Sequence, residues 1–419
     1  AALVRNFIVK PHGPAQNISG FAFVNEVKDS TKKTRLLPFT FSTVQTMVIE
    51  MGDQYFRFHT QGQTLKYSNG AAWNNATAYT VGDIALQGGV NYYCTVAHTN
   101  QAPPNASYWY ALPADYTYEV PSPYLEAELF DVHYVQSADV LTLVHPNCPP
   151  KELRRLGATK WELKTIDFGS PLPAPTGVTV TTYIPSSTST NADTFEDHEY
   201  VVTAVKANLV DESNQSAVGL TGAGATPTNN IFVTGAKNTI SWTAVTGASR
   251  YRVYKNQGGI YGFLGETTTT TIVDNNIAPD FTKTPPIHEN DFVGTGNYPG
   301  AVSYFEQRRV FAGTNNAPQD IWMTKSGTES NMSFGLPIKD DDRIEFRVAA
   351  REANTIRHIV PLTNLLMLTG SAEWRITSVN SDAITPTSIS VKPQSYVGSN
   401  NAQPVIVNNS LVYGAARGG

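Results

Sequence analysis

The sequence is poor in cysteine: its 419 residues hold two, Cys94 and Cys148. Two thiols build neither a disulfide framework nor a four-ligand zinc site, which favours a reducing compartment. An excess of positive charge is lacking as well. Thirty Lys and Arg stand against 35 Asp and Glu, a net charge of −5, which argues against a chain whose main task is to grip nucleic acid through a basic face. Transient contact with DNA stays open. No apolar run approaches the ~20 residues of a membrane helix, and no charged-then-apolar leader opens the sequence.

Recognisable catalytic motifs are missing too. There is no His-Glu-x-x-His, no Gly-rich phosphate loop ending in Lys-Ser/Thr and no Gly-x-Ser-x-Gly elbow. Asp167-Phe168-Gly169 stands without any kinase-like companion motif. Asp131, His133 and Asp139 lie close in sequence, as do His145 and Cys148, but spacing supplies no third, orienting group, so ordinary strand-end and loop residues are expected. Asp340-Asp341-Asp342, after Pro337, reads as a solvated turn rather than a cation site. No enzymatic activity, cofactor or metal is expected.

What is plentiful points to β structure. Gly (31) and Pro (26) are frequent, aromatics make up 11 %, and runs of Thr, Val and Ser recur, which favours short strands and many turns. At ~150 residues per domain the length suits two or three domains. Strands are expected at Phe21–Val24, Met47–Glu50 and Gln54–Phe58, the last two joined across Met51-Gly52-Asp53. A short helix is expected over Tyr124–Phe130, with Ser122 as N-cap and Pro123 at the first helical position. A second helical turn is expected from Pro149-Pro150 through Leu156 to Gly157. The fold class is all-β: a discontinuous, β-propeller-like platform interrupted by two small β domains. The segments are 1–68 (platform), 69–112 (compact aromatic insert), 113–172 (platform), 173–288 (a β-sandwich introduced by a Pro-rich linker) and 289–419 (platform). The abrupt first and last strands suggest a piece of a longer chain.

The insert gathers Trp73, Tyr79, Tyr92, Tyr93, Trp109 and Tyr110. Flat rings on a small rigid domain suit stacking on sugars, and equally suit a ~40-residue module that must build its core from aromatics. Trp73, Tyr79-Thr80-Val81-Gly82-Asp83, Gly89-Val90-Asn91-Tyr92-Tyr93-Cys94, His98-Thr99, Pro103-Pro104 and Trp109 resemble the small chitin- and cellulose-binding type of carbohydrate-binding module. That resemblance implies Trp73, Tyr79, Tyr92, Tyr93 and Trp109 as carbohydrate-binding residues. The family's exposed Trp pair has Thr95-Val96-Ala97-His98 in its place here, so the fold transfers better than the sugar affinity. In the sandwich region, Ile240-Ser241-Trp242 with Tyr251-Arg252-Val253-Tyr254, and Tyr200-Val201-Val202-Thr203-Ala204-Val205, resemble phrases of fibronectin type III modules in a changed order. Either a permuted module or a different strand pairing would produce that order, and Trp242 and Tyr251 are expected in the core.

Three ordered stretches of the platform resemble tail nozzle (tail tubular B-type) proteins of short-tailed bacteriophages. They are Leu3–Asn17 with Gly20–Val24; Asp139–Pro146 with Pro149-Pro150 and Leu153-Arg154-Arg155; and Gln307–Thr314 with Pro318–Trp322. The resemblance implies a homohexameric ring in the virion tail, assembled in the host cytoplasm and docked beneath the tail adaptor. Genome DNA would leave through its lumen, and outward modules would hold tail fibres or spikes or touch host-surface glycans. The alternative is a polysaccharide-binding or polysaccharide-degrading host-adhesion protein, which asks for a pair of convergent carboxylates in a groove.

Overall fold

The computed structural model describes residues 7–18, 20, 22–42, 46–185, 196–220, 231–349 and 354–416. Among them every regular element is a strand except one 3-10 turn, Glu126–Glu128, so the all-β expectation holds. None of the described helical residues is long and apolar enough to cross a membrane. The chain forms two compact units. One comprises 1–130, 136–141 and 152–164; the other comprises 131–135, 142–151 and 165–419.

In the first unit, strands Arg35–Thr40, Thr46–Gly52, Tyr55–Thr60 and Glu119–Pro121 form an antiparallel sheet, extended by Gln63–Thr64. The expected hairpin is present, its two-residue turn lying at Asp53-Gln54 because Gly52 pairs with Tyr55. Trp161 is the centre of this unit. Its indole is fully buried, stacks on Phe58 at 4.2 Å between centroids and meets Phe39 edge-on at 5.1 Å. Its peptide is held as well: Trp161 N–H donates to Tyr118 Oη at 2.9 Å, and Tyr93 Oη–H donates to Trp161 O at 2.7 Å.

That last bond fastens the aromatic insert to the sheet's core. The insert's own sheet runs in the order Trp109–Ala111, Val90–Cys94, Ile84–Gln87, Ala71–Ala72. Gly88 and Gly89, both at positive φ, make the two-residue turn that joins its central hairpin. Gly82 sits against the same tryptophan, where a Cβ would come within 2.9 Å of Trp161 O.

In the second unit, residues 179–274 build two facing sheets. One has the order Thr179–Tyr183, Lys237–Ser241, Thr271–Asp274; the other Gly219–Leu220, Glu199–Val205, Arg250–Gln257, Ile260–Thr267. Tyr200, Val202, Ile240, Trp242, Tyr251 and Val253 share the core between them, and Leu172 of the Pro-rich linker joins it. Trp242 and Tyr251 are core residues as expected, with ring centroids 5.4 Å apart. The Tyr200 strand pairs with the Tyr251 strand although two strands lie between them in sequence. Two further four-stranded antiparallel sheets follow, within Ala301–Arg347 and Ile356–Ser395.

Three local expectations are corrected. The Tyr124–Phe130 helix shrinks to the 3-10 turn, which starts after an extended Leu125 rather than at Ser122. Ser122 N–H donates to Gln54 O and Gln54 N–H to Tyr124 O, so this stretch stays tied to the hairpin end and is not available as a first helical turn. The turn expected at Pro149–Leu156 is the strand Cys148–Gly157, which lies between Val140–His145 and Lys160–Thr165 in its sheet. Consecutive prolines push the residue before each of them out of the helical region, and here that effect outweighs the preference for Pro at a helix start. Phe21–Val24 is not a strand at its described residues 22–24, and Phe23 is 84 % exposed.

Trp161→Ala removes the ring on which Phe39 and Phe58 pack. It is expected to cost about 3–5 kcal/mol of stability, read as a lowered midpoint of denaturant unfolding.

Candidate functional site

The aromatic insert is the first candidate. Tyr79, Tyr93 and Trp109 are buried, and Trp73 and Tyr92 are half-buried against the same small core with Ala85 and Cys94. Trp109 meets Tyr79 edge-on at 5.0 Å, and its indole N–H donates to Gln101 O at 2.8 Å. Tyr93 points away from solvent toward Trp161 O. Three of the five rings are therefore buried, and Trp73 and Tyr92 are the two that keep partial exposure. His98 lies edge-on to Trp109 and Tyr108 at 4.9 and 5.1 Å, and burial lowers its pKa, favouring the neutral ring. Burial pushes the Cys94 thiol up to about 11, so it is a packing residue and not a nucleophile at neutral pH. Neither cysteine is in a disulfide.

The second candidate arises from residues dismissed on spacing. Asp131, His133 and His145 line one cavity of about 380 Å³, together with Asn147, Arg357 and Asn401; Asp139 and Cys148 are not among its walls. The His133 and His358 rings meet edge to face at 4.7 Å. His133 Nδ1 contacts Gly300 O, and His358 Nε2 contacts Asn400 O at 2.8 Å. Asp131 accepts from Asn401 Nδ2 at 2.7 Å. Burial first, then the adjacent His133, lowers the His358 pKa to about 4. The signal that escapes sequence reading is distance: His133 and Gly300 are 167 residues apart.

Two acidic groups complete the survey. Of the Asp340–Asp342 triplet, Asp340 and Asp341 are exposed as expected, but Asp342 is buried. It accepts from Lys339 N at 2.9 Å and Gly335 N at 3.1 Å and pairs with Lys325 at 2.9 Å, so it is a structural clamp rather than a solvated turn residue. Elsewhere, Glu289, Asp291 and Glu345 bring oxygens within 4.8 Å of one another. All three converge on the buried Arg343, with Asp291 and Glu345 at 2.8 Å. That guanidinium already supplies the positive charge a cation would bring.

Two outcomes follow from these geometries. Trp109→Ala is expected to cost about 3–5 kcal/mol and to abolish the insert's near-ultraviolet dichroism, because it empties a core position. Trp73→Ala truncates a half-buried ring packed on that core, so its effect on sugar binding is read beside its unfolding midpoint, which is expected to fall less than that of Trp109→Ala. For His358, the folded chain resists a proton that the unfolded chain accepts. Stability therefore falls as pH drops from about 6.5 to about 4, by about 3 kcal/mol in total. His358→Gln is expected to flatten the urea-midpoint profile across that window, and an unchanged slope contradicts the assignment.

No protein-family model matches the chain, and no curated protein does.

Proposed function

We propose that this chain is a structural subunit of the distal nozzle of a short phage tail. It would be one copy of a hexameric ring beneath the tail adaptor, with genome DNA leaving through the lumen and with modules outside for fibres or host-surface glycans. The reading begins from the three ordered resemblances, whose described parts fall on hairpins: Phe7–Val9 with Ala15–Asn17, Val140–His145 with Cys148–Gly157, and Arg308–Ala312 with Asp320–Met323.

The observation that carries it is apolar β structure left uncovered in the single chain. All residues of Phe7–Val9 are exposed, as are all residues of Val405–Val407, and each strand belongs to a two-stranded sheet. A lone hairpin is marginal in water, and exposed apolar strands mark surfaces that another chain covers. A closed ring of identical copies supplies such cover at every position. The net charge of −5 fits a conduit better than a grip, since phosphate contacts by Lys and Arg would hold DNA in place.

The polysaccharide-degrading alternative draws less support. Glu289, Asp291 and Glu345 converge but share Arg343, and the insert's rings are mostly packed inward. Negative-stain images of the purified chain test the proposal: closed rings with a central channel are expected, and monomers at micromolar concentration contradict it. Retention on host polysaccharide that Trp73→Ala removes would support the glycan contact; no retention of the wild-type chain would eliminate it.

A further inference from the structure

An apolar groove in the second unit has a volume of about 690 Å³. Ile260 and Tyr261 of the strand Ile260–Thr267, with Phe281, Ile287, Leu336 and Pro337, supply much of its apolar lining, and Asn214, Gln215 and Thr284 add uncharged polar side chains. That strand is an edge strand of its sheet. Ile260 and Leu336 are more than half exposed. No Asp, Glu, Lys or Arg lines the groove. His288 does, but its Nε2 contacts Glu212 O at 2.7 Å and burial lowers its pKa, so it adds no charge at neutral pH.

The same unit carries a surface of matching chemistry. Strands Val405–Val407 and Ser410–Val412 pair through a tight turn at Asn408 and Asn409, both at positive φ. Val405, Ile406, Val407 and Val412 are 47–58 % exposed. From Ser395 to Ala416 the sequence has no charged residue and no histidine. The other exposed hairpin, by contrast, runs from Phe7–Val9 directly into Lys10 and His12. A cavity of about 150 Å³ holds one benzene-sized group, so the groove has room for about four aliphatic side chains. Within one chain the hairpin and the groove both stay exposed, so a chain does not fill its own groove.

We infer that the Val405–Val412 hairpin of one copy docks in the Ile260–Leu336 groove of the next, a head-to-tail contact between copies of this chain. The contact buries Val405, Ile406 and Val407 and lets the hairpin's open edge approach the edge strand at Ile260–Tyr261. Because donor and acceptor surfaces differ, each copy offers one of each, and repetition closes a ring where the rotation allows. The inference rests on the ring reading above and adds which surfaces make the ring.

The test uses the full chain carrying Ile406→Cys, mixed with the full chain carrying Leu336→Cys, and a short bismaleimide; the native Cys94 and Cys148 are buried. Cross-linked dimers are expected in the mixture at about ten times the yield of either variant alone. Ile406→Asp and Leu336→Asp, both at exposed positions, should each weaken assembly by about tenfold or more, equivalent to about 1.4 kcal/mol, with unchanged melting of the monomer. Rings that form without the cross-link and survive both Asp variants overturn the inference and leave the nozzle reading standing. A wild-type chain that stays monomeric overturns both.

Discussion

Backbone pairing is the constraint on which this molecule depends. With almost no helix among the described residues, peptide groups must find partners across strands, and every open sheet leaves two edges whose N–H and C=O groups face outward. The first unit handles this with side chains as well as strands. Tyr118 and Tyr93 engage the N–H and C=O of Trp161, so one buried residue ties the insert, the five-stranded sheet and the Lys160–Thr165 strand together. The sandwich does the same with buried polar groups: Tyr200 donates to Asp274 at 2.7 Å, and Asp274 pairs with the buried Lys255 at 2.9 Å. Among the described residues, two short apolar hairpins and an apolar groove stay exposed beside these devices.

The aromatic insert illustrates how packing and recognition compete for the same rings. A module of this size has few residues with which to exclude water, and Tyr79, Tyr93 and Trp109 meet that need by turning inward. Sugar contact, if the module makes it, falls to Trp73 and Tyr92, the rings that retain some surface.

Much of the fold was legible because its signals are local. Alternation marked the strand expected at Gln54–Phe58, which the structure places at Tyr55–Thr60, and the fibronectin-like phrases placed Trp242 and Tyr251 in a core. The failures share one cause, which is that a residue's partners lie on other strands, whether next in sequence or remote. Pro149-Pro150 looked like a helix start only while the neighbouring strands were out of view, and Ser122 lost its capping role to contacts with the Gln54 turn. The cavity of Asp131, His133 and His145 was invisible for the same reason, since Gly300, Arg357, His358 and Asn401 complete its surroundings from far along the chain. Asp342 differs from its neighbours Asp340 and Asp341 only because two backbone N–H groups and Lys325 surround it, a distinction no triplet of aspartates announces.

The central claim is that this chain is a building block whose exposed β surfaces are completed by further copies of itself. Sedimentation velocity of the purified chain across a range of micromolar concentrations tests it most directly. The account predicts one discrete assembled species of fixed stoichiometry that gains population with concentration. A single monomeric boundary at every concentration, or open-ended growth without a closed species, would contradict it.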